Sequence, residues 1–415
     1  MKTIALGIIL FFLVSPSLFA QRECSTAEYE QQQFAADPTL INKKKSIESA
    51  ILQPRSSAVD SRTSHINIIK IPVVVHILYH TNAQAISDAQ VQSQIDALNR
   101  DYRKLNKDAL SIPARFAGFA ADCQIEFALA TRDPKGRSTS GVVRKYSPVT
   151  EWTMDDNIKL SSKMGDDAWD AASYLNIWVG NLHKLAGYAS VLGGPLEKDG
   201  VVINSNAFGM INTSAPYNMG RTAVHEVGHW LGLKHIWGDA DCGDDGIYDT
   251  PQQRSFTTGC PTGIRITCGN APDGDMYMNY MDFTNDACLL MFTNGQKEKM
   301  RNLFAAGGYR YSILSSKGLS EPIMDEIPVE QAGPQWLQVK IYPNPVTTEL
   351  IIDVAYDERW VGKQIAVINM MGQVQLKKII GTKIEKVDVS KLKPGIYFIR
   401  GNKDGEVMMQ KFVKM

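Results

Sequence analysis

The sequence carries no excess charge of either sign: 44 Lys+Arg stand against 44 Asp+Glu in 415 residues. A general nucleic-acid binder or a polyanionic tail would tilt that balance, so no nucleic-acid partner is expected. Long apolar runs are also missing. Ile4 to Val14 is short, and no later stretch is long and apolar enough to span a bilayer. Lys2 before the run, Pro16 behind it and the ending Leu18-Phe19-Ala20 read as a signal peptide over residues 1–20, with a retained anchor as the alternative. A lipidation signal is absent, because Arg22-Glu23 precede Cys24. With 44% hydrophobic and 21% charged residues, disorder is excluded as well. An exported, globular chain of two or three domains remains.

Only six cysteines are present, and in an exported chain they can pair. Cys242, Cys260, Cys268 and Cys288 share one stretch and allow three connectivities. Cys24 and Cys123 stand apart.

Residues 21 to about 62 are polar, short of aromatics and without a clear strand. Pro54-Arg55-Ser56-Ser57 and Ser61-Arg62 suggest an exposed, cleavable link, so 21–55 reads as a pro-segment or as a plain disordered leader. Globular patterning follows over 56–315. The β-branched run Ile71 to Tyr79 predicts a buried strand, and Ile125–Ala130, Tyr174–Val179 and Val201–Asn204 predict others. Val91, Ile95, Leu98 and Tyr102 recur at helical spacing between Ser87 and Leu105, with Ser87 or Asp88 as N-cap. Further helices are expected over Asn218–Leu233 and Gln296–Phe304, separated by a loop-rich stretch. These features give an α/β domain, helices on a mixed sheet. Residues 316–335 form a proline-containing linker. Short strands at Leu350–Val354, Gln364–Ile368 and Gly395–Ile399 then predict a small all-β sandwich over 336–415.

Histidine is scarce, yet three of the seven fall within eleven residues, His225-Glu226-Val227-Gly228-His229-Trp230-Leu231-Gly232-Leu233-Lys234-His235. At about 100° per residue, His225 and His229 lie about 40° apart on a helix and one turn apart along it. Both imidazoles can therefore address one zinc ion. Gly232 can end the helix in a left-handed conformation and bring His235 back as third ligand, leaving the fourth position to water. Glu226 is placed to take a proton from that water, which zinc acidifies towards roughly pKa 7. Matching His, Glu, His, Gly and His at these positions by accident takes about three million sites if residues were equally frequent. His65, His76, His80 and His183 are expected to be structural.

These residues resemble the metzincin metalloproteases, most closely the pappalysin family. The likeness covers roughly residues 66–305. It rests on His235-Ile236-Trp237-Gly238-Asp239, on Asp249-Thr250-Pro251 and on the run from Met281 to Cys288. It implies an α+β catalytic domain with a mixed sheet and an active-site helix, and Met281 of Asn279-Tyr280-Met281-Asp282 as the platform under the metal. Disulfides Cys242–Cys268 and Cys260–Cys288 are implied too. A calcium-binding loop is implied over Asp244, Asp245, Asp249 and Thr250, whose oxygens suit flexible coordination. Asp286 would lie at the base of the primed-side pocket and favour Lys or Arg after the scissile bond; a solvated loop acid is the alternative. Cys24 resembles the pro-segment cysteine whose thiolate fills zinc's fourth position, against a disulfide with Cys123. Removal would fall between Arg55 and Ser56, although a protease wanting a basic residue after the cut would not prefer that bond. One departure stands out: where many relatives carry a tyrosine that helps stabilise the oxyanion, this chain has Phe283, leaving Tyr280 or a backbone amide as substitutes.

Tyr342-Pro343-Asn344-Pro345, Lys393-Pro394-Gly395-Ile396-Tyr397 and the ending Lys411-Phe412-Val413-Lys414-Met415 resemble the sorting domain read by the type IX secretion system. A carbohydrate-binding or adhesive sandwich is the alternative. From residue 336 onward 13 Lys+Arg face 8 Asp+Glu, so this module is about +5 and the remainder about −5. The expectation is a secreted or cell-surface, monomeric zinc endopeptidase made as a zymogen, exported by its signal peptide and then across the outer membrane, and acting on protein or peptide substrates. Val201–Asn206 is expected to be the edge strand that binds them. A zinc-stabilised binding protein with weak or no proteolysis is the alternative.

Overall fold

The computed structural model describes residues 24–52, 68–323, 339–355, 357–403 and 406–415. The expected signal peptide, the Arg55–Ser56 bond, His65 and most of the linker lie outside these residues.

Two helices open the described chain, α1 (Thr26–Ala36) and α2 (Thr39–Leu52). Asp37 starts α2 by accepting from the Thr39 amide and hydroxyl. Their polar faces explain why no strong periodicity marks them, and only Tyr29, Leu40 and Ile51 are fully buried hydrophobics.

Strand β1 (Ile69–Tyr79) is central to a six-stranded sheet and is buried except at Lys70. Buried on both faces, it reads as a nearly continuous apolar run. Along one edge it pairs in parallel with β2 (Ile125–Leu129) and then with β3 (Val142–Tyr146); along the other it pairs with β4 (Leu175–Gly180). Next come the short antiparallel β5 (Gly187–Ala189), at the rim, and β6 (Val201–Asn204), between β4 and β5. This corrects one expectation: β6 is flanked on both sides, and β5 is the edge strand. Three residues without a β-branched side chain carry little strand signal.

Helix α3 (Asp88–Tyr102) begins where Ser87 accepts from the Gln90 amide. It shares a core with α5 (Arg221–Trp230): Val91, Ile95, Leu98 and Tyr102 meet Ala223, Val224 and Val227 over Val75, Ile77 and Ile203 of the sheet. A short turn, α4 (Ala114–Ala117), lies between α3 and β2. After α5 the chain runs to α6 (Asn294–Asn302) with little regular structure, and two disulfides close that stretch.

The C-terminal module is the expected sandwich. One antiparallel sheet has the order β10 (Val374–Ile379), β9 (Gln364–Asn369), β12 (Gly395–Lys403), β13 (Glu406–Lys414); the other has β11 (Ile384–Asp388), β8 (Glu349–Asp353), β7 (Lys340–Tyr342). Leu350, Ile352, Val367, Ile399 and Phe412 fill the space between them. Among the described residues no helix is long and apolar enough to cross a membrane.

Candidate active site

Every residue of α5 is buried, so its start must be held from outside. Gly220, at φ +72°, turns the chain into the helix. One Asp286 oxygen then accepts from the Met219 and Arg221 amides at 2.8 and 3.3 Å. Arg221 is a cation at the positive helix end, an unfavourable place by itself. Asp101, Asp108 and the Asp286 carbonyl compensate by accepting from its guanidinium. At the other end Gly232, at φ +82°, reverses the chain as expected and returns His235 towards the helix.

His225, His229 and His235 converge. Each uses Nδ1 for an outer partner: the Tyr280 carbonyl at 2.7 Å, the Leu233 carbonyl at 2.9 Å, and the Asp239 carboxylate respectively. These acceptors fix the proton on Nδ1 and leave the Nε2 lone pairs facing inward. His229 Nε2 lies 3.1 Å from both His225 Nε2 and His235 Nε2. Cys24 Sγ completes the group at 3.5 Å from His229 Nε2 and 3.4 Å from His235 Nε2. Three converging lone pairs and a thiol repel one another unless a cation lies among them. Tetrahedral zinc with ordinary bond lengths spaces nitrogens about 3.3 Å apart and sulfur about 3.5 Å from nitrogen, so the donor set fits that metal. Burial, followed by the His235 charge, drives His229 down to about 3. Burial and then Glu226 push the Cys24 thiol up, a shift that a bound cation reverses. This is the one group of three or more His, Cys, Asp or Glu ligand atoms gathered among the described residues.

Cys24 reaches the site by a single parallel bridge to Gly187 of β5, where the Ser25 amide donates to the Gly187 carbonyl at 3.1 Å. Thr26 donates to Glu226 Oε2 at 2.8 Å and accepts from the Ala189 amide at 2.9 Å. The segment expected to block the site therefore occupies the edge strand, the ligand cluster and Glu226 together. Cys123 is a free, buried thiol in the main core, so the Cys24–Cys123 disulfide is not made.

Met281 lies beneath the cluster. A Cβ added to Gly228 would come within 2.6 Å of its sulfur, so glycine lets α5 settle on this side chain. Asn279 fixes the turn by accepting from the Met281 amide and pairing its amide group with Gln296. Phe283 packs its ring 4.9 Å from that of His235, among Trp237 and Phe256, while Trp237 stacks on His235 at 4.4 Å. Tyr280 does not replace the missing hydroxyl: its ring is fully buried against Phe292 under Arg221, away from solvent.

Both expected disulfides, Cys242–Cys268 and Cys260–Cys288, are formed. In the acidic loop the carboxylates of Asp244, Asp245 and Asp249 each make their own local hydrogen bonds. Asp244 accepts from the Gly246 amide, and Asp249 uses both oxygens on Thr293 and Gly295 at the start of α6. Asp245 binds the Ile247 amide and the Thr250 hydroxyl with Oδ1, and burial raises its carboxyl to about 6. Asp286 is fully buried, which removes the solvated-acid alternative.

The roles of Asp239, Thr26 and Trp237 at the site were not evident from the sequence. Asp239 had a local signal, four residues beyond His235 with Gly238 at φ +62° between them. Thr26 had none, since its partners lie far along the chain.

Known proteins resemble this chain over both of its folded parts. A family described as "Pregnancy-associated plasma protein-A" matches residues 159–305, and one described as "Secretion system C-terminal sorting domain" matches residues 340–415. An extracellular metalloprotease of Arthroderma gypseum is 30% identical over 308 residues, 71% of this chain and 88% of that protein. One of Pyricularia oryzae is 30% identical over 62% of this chain and 82% of that protein. Among solved structures, Tannerella forsythia promirolysin is 41% identical with a TM-score of 0.63, over 71% of this chain and 96% of that one. Mature mirolysin from the same organism, in complex with a cleaved peptide, is 47% identical with a TM-score of 0.58, over 59% and 95%. The chain belongs to the pappalysin family of metalloproteases and is a secreted metalloendopeptidase with a type IX secretion sorting domain behind its catalytic domain.

Proposed function

We propose that this chain is a zinc endopeptidase made latent, with residues 1–20 as signal peptide, 21–55 as pro-segment, 56–315 as catalytic domain, 316–335 as linker and 336–415 as sorting domain. The observation that carries the reading is the convergence of three Nε2 atoms and the Cys24 thiol beside the buried Glu226. His225, His229 and His235 would hold zinc, and Cys24 would take its fourth position in the zymogen. Zinc supplies, when bound, a Lewis acid that polarises a carbonyl and acidifies water. Glu226 receives the water's proton and passes it to the leaving amine. Until the pro-segment leaves, Thr26 occupies the Glu226 carboxylate and Cys24 excludes water.

A peptide substrate would then lie along β5, whose outer edge the pro-segment vacates, and would gain main-chain hydrogen bonds there. Asp286, a buried carboxylate at the head of α5, would favour Lys or Arg after the scissile bond. Asp245 has a buried Oδ2 without a hydrogen-bond partner, which suits it for calcium if the loop rearranges around an ion. The chain is proposed to act as a monomer.

The test incubates cleaved protein with a mixed peptide library, with and without a chelator, beside Glu226→Ala. Cleavage that the chelator stops and Glu226→Ala lacks is the expected result. Absence of chelator-sensitive cleavage would overturn the enzyme reading, and basic residues scattered on both sides of the cuts would overturn the role of Asp286.

A further inference from the structure

Beyond the metal cluster, the pro-segment fills a second built site. Tyr29 lies five residues after Cys24 on α1 and is only 2% exposed. Its hydroxyl is 3.0 Å from both oxygens of Asp156. Its ring lies 4.9 Å from the ring of Tyr188, on the edge strand β5, and the Lys159 ammonium stands 5.1 Å from its centroid. Trp152, Trp178 and Leu182 belong to the same apolar cluster. The slot is thus a ring-shaped pocket with a carboxylate at its end and a cation over its face.

The walls do not depend on Tyr29. Asp156 is held by Lys159 at 3.0 Å and Lys198 at 3.1 Å, and Lys159 also donates to the Lys198 carbonyl at 3.0 Å. With its charge compensated from the catalytic domain itself, Asp156 stays ionised after the pro-segment leaves. The Tyr188 hydroxyl is buried without a hydrogen-bond partner, one more polar group available to an incoming ligand.

We propose that the slot vacated by Tyr29 is a subsite of the mature enzyme that takes a tyrosine side chain from a bound peptide. Tyr188 supplies the ring contact and Asp156 accepts from the phenol. Phenylalanine fits the same volume but gives up the phenol's charge-assisted hydrogen bond to Asp156, whose oxygens then keep only Lys159 and Lys198. A site built to bond a hydroxyl discriminates strongly against an analogue lacking it. The slot adjoins the strand expected to bind substrate, so the reading rests on the peptidase function proposed above and adds a side-chain preference to it.

The test uses the mature enzyme and a synthetic peptide of residues 24–52 carrying Cys24→Ser, so that no thiol reaches the metal site. Its affinity, measured by calorimetry, is compared with that of the same peptide carrying Tyr29→Phe. The expected loss is about tenfold or more, as for a hydrogen bond to a charged group. N-acetyl-tyrosinamide should displace the peptide better than N-acetyl-phenylalaninamide. In a substrate library, tyrosine on one side of the cut should lower KM while leaving kcat little changed. Because both changes are made in the ligand, folding of the enzyme is not at issue; Asp156→Asn, if folded by circular dichroism, should weaken the discrimination, since its amide oxygen still accepts but carries no charge. Equal affinity of the two peptides, or equal displacement by the two amides, overturns the subsite even if cleavage proceeds. Discrimination without any cleavage would instead keep the subsite and overturn the peptidase reading.

Discussion

Gly228→Ala isolates the mechanical coupling between the active-site helix and Met281. In an exposed helix the change would stabilise by about 1 kcal/mol through backbone entropy. Here the new methyl would lie 2.6 Å from the Met281 sulfur, where ordinary contact begins near 3.4 Å. One side must retreat by roughly 1 Å, and overpacking of that kind costs about 1–3 kcal/mol. The net expected effect is a loss of about 0–2 kcal/mol. The larger consequence is positional. Met281 is followed by Asp282 and preceded by Tyr280, whose carbonyl orients His225, so displacement of the turn rotates a ligand. Disturbing such an outer partner costs about 10- to 100-fold in metal affinity or activity. Zinc affinity should be measured by competition with a chromogenic chelator, and thermal unfolding with and without metal. Gly228→Ala should weaken metal binding at least about tenfold, and pairing it with Met281→Ala should recover part of the metal affinity. A single variant that binds zinc normally and melts higher by the full propensity gain would refute the idea that Met281 is a fixed platform.

Three further outcomes are expected. Cys24→Ala should let full-length protein cleave a peptide without the lag of the parent chain, as read by time courses of freshly purified zymogen; an unchanged lag would remove the thiol from the latency mechanism. Phe283→Tyr should raise turnover roughly tenfold if its hydroxyl reaches the developing oxyanion, and a flat or lower kcat would show that this ring serves only to pack His235. For Asp199, burial pushes the carboxyl up, but the Arg310 guanidinium at 2.8 Å outweighs it and holds it below the usual carboxylate range. That depressed pKa contributes stability present above the unfolded value near 4 and lost as pH falls through the folded one. Asp199→Asn should lower stability at pH 7 by about 3–5 kcal/mol and flatten the acid side of a melting temperature–pH profile. An unaltered acid limb would contradict the linkage.

The metal cluster was legible because its geometry is local: two ligands on adjacent turns of one helix, then a glycine that reverses the chain before the third. The central strand was equally legible, since burial on both faces leaves a β-branched run. The edge of the sheet was not. Gly187, Tyr188 and Ala189 form a strand only because β6 offers them a partner, and three such residues carry no periodic signal. Helices α1 and α2 escaped for a related reason, as polar segments stabilised by the domain they cover. Asp249 shows a use that its acidic setting did not suggest: both its oxygens hold the start of α6. Tyr29 could not have been singled out, because Asp156 lies 127 residues away.

The convergence of one thiol and three imidazoles on a single point has a logical consequence. The same ion would arm the peptidase and lock it, acting on both through one set of donors. If Cys24 ligates the metal as proposed, a zymogen stripped of it would lose one tie to its pro-segment and its catalytic centre in the same event. Starvation for metal would then yield an unlocked but empty protease and not a runaway one. The device behaves as a fail-safe, in which the fault that opens the lock also disarms what it guards.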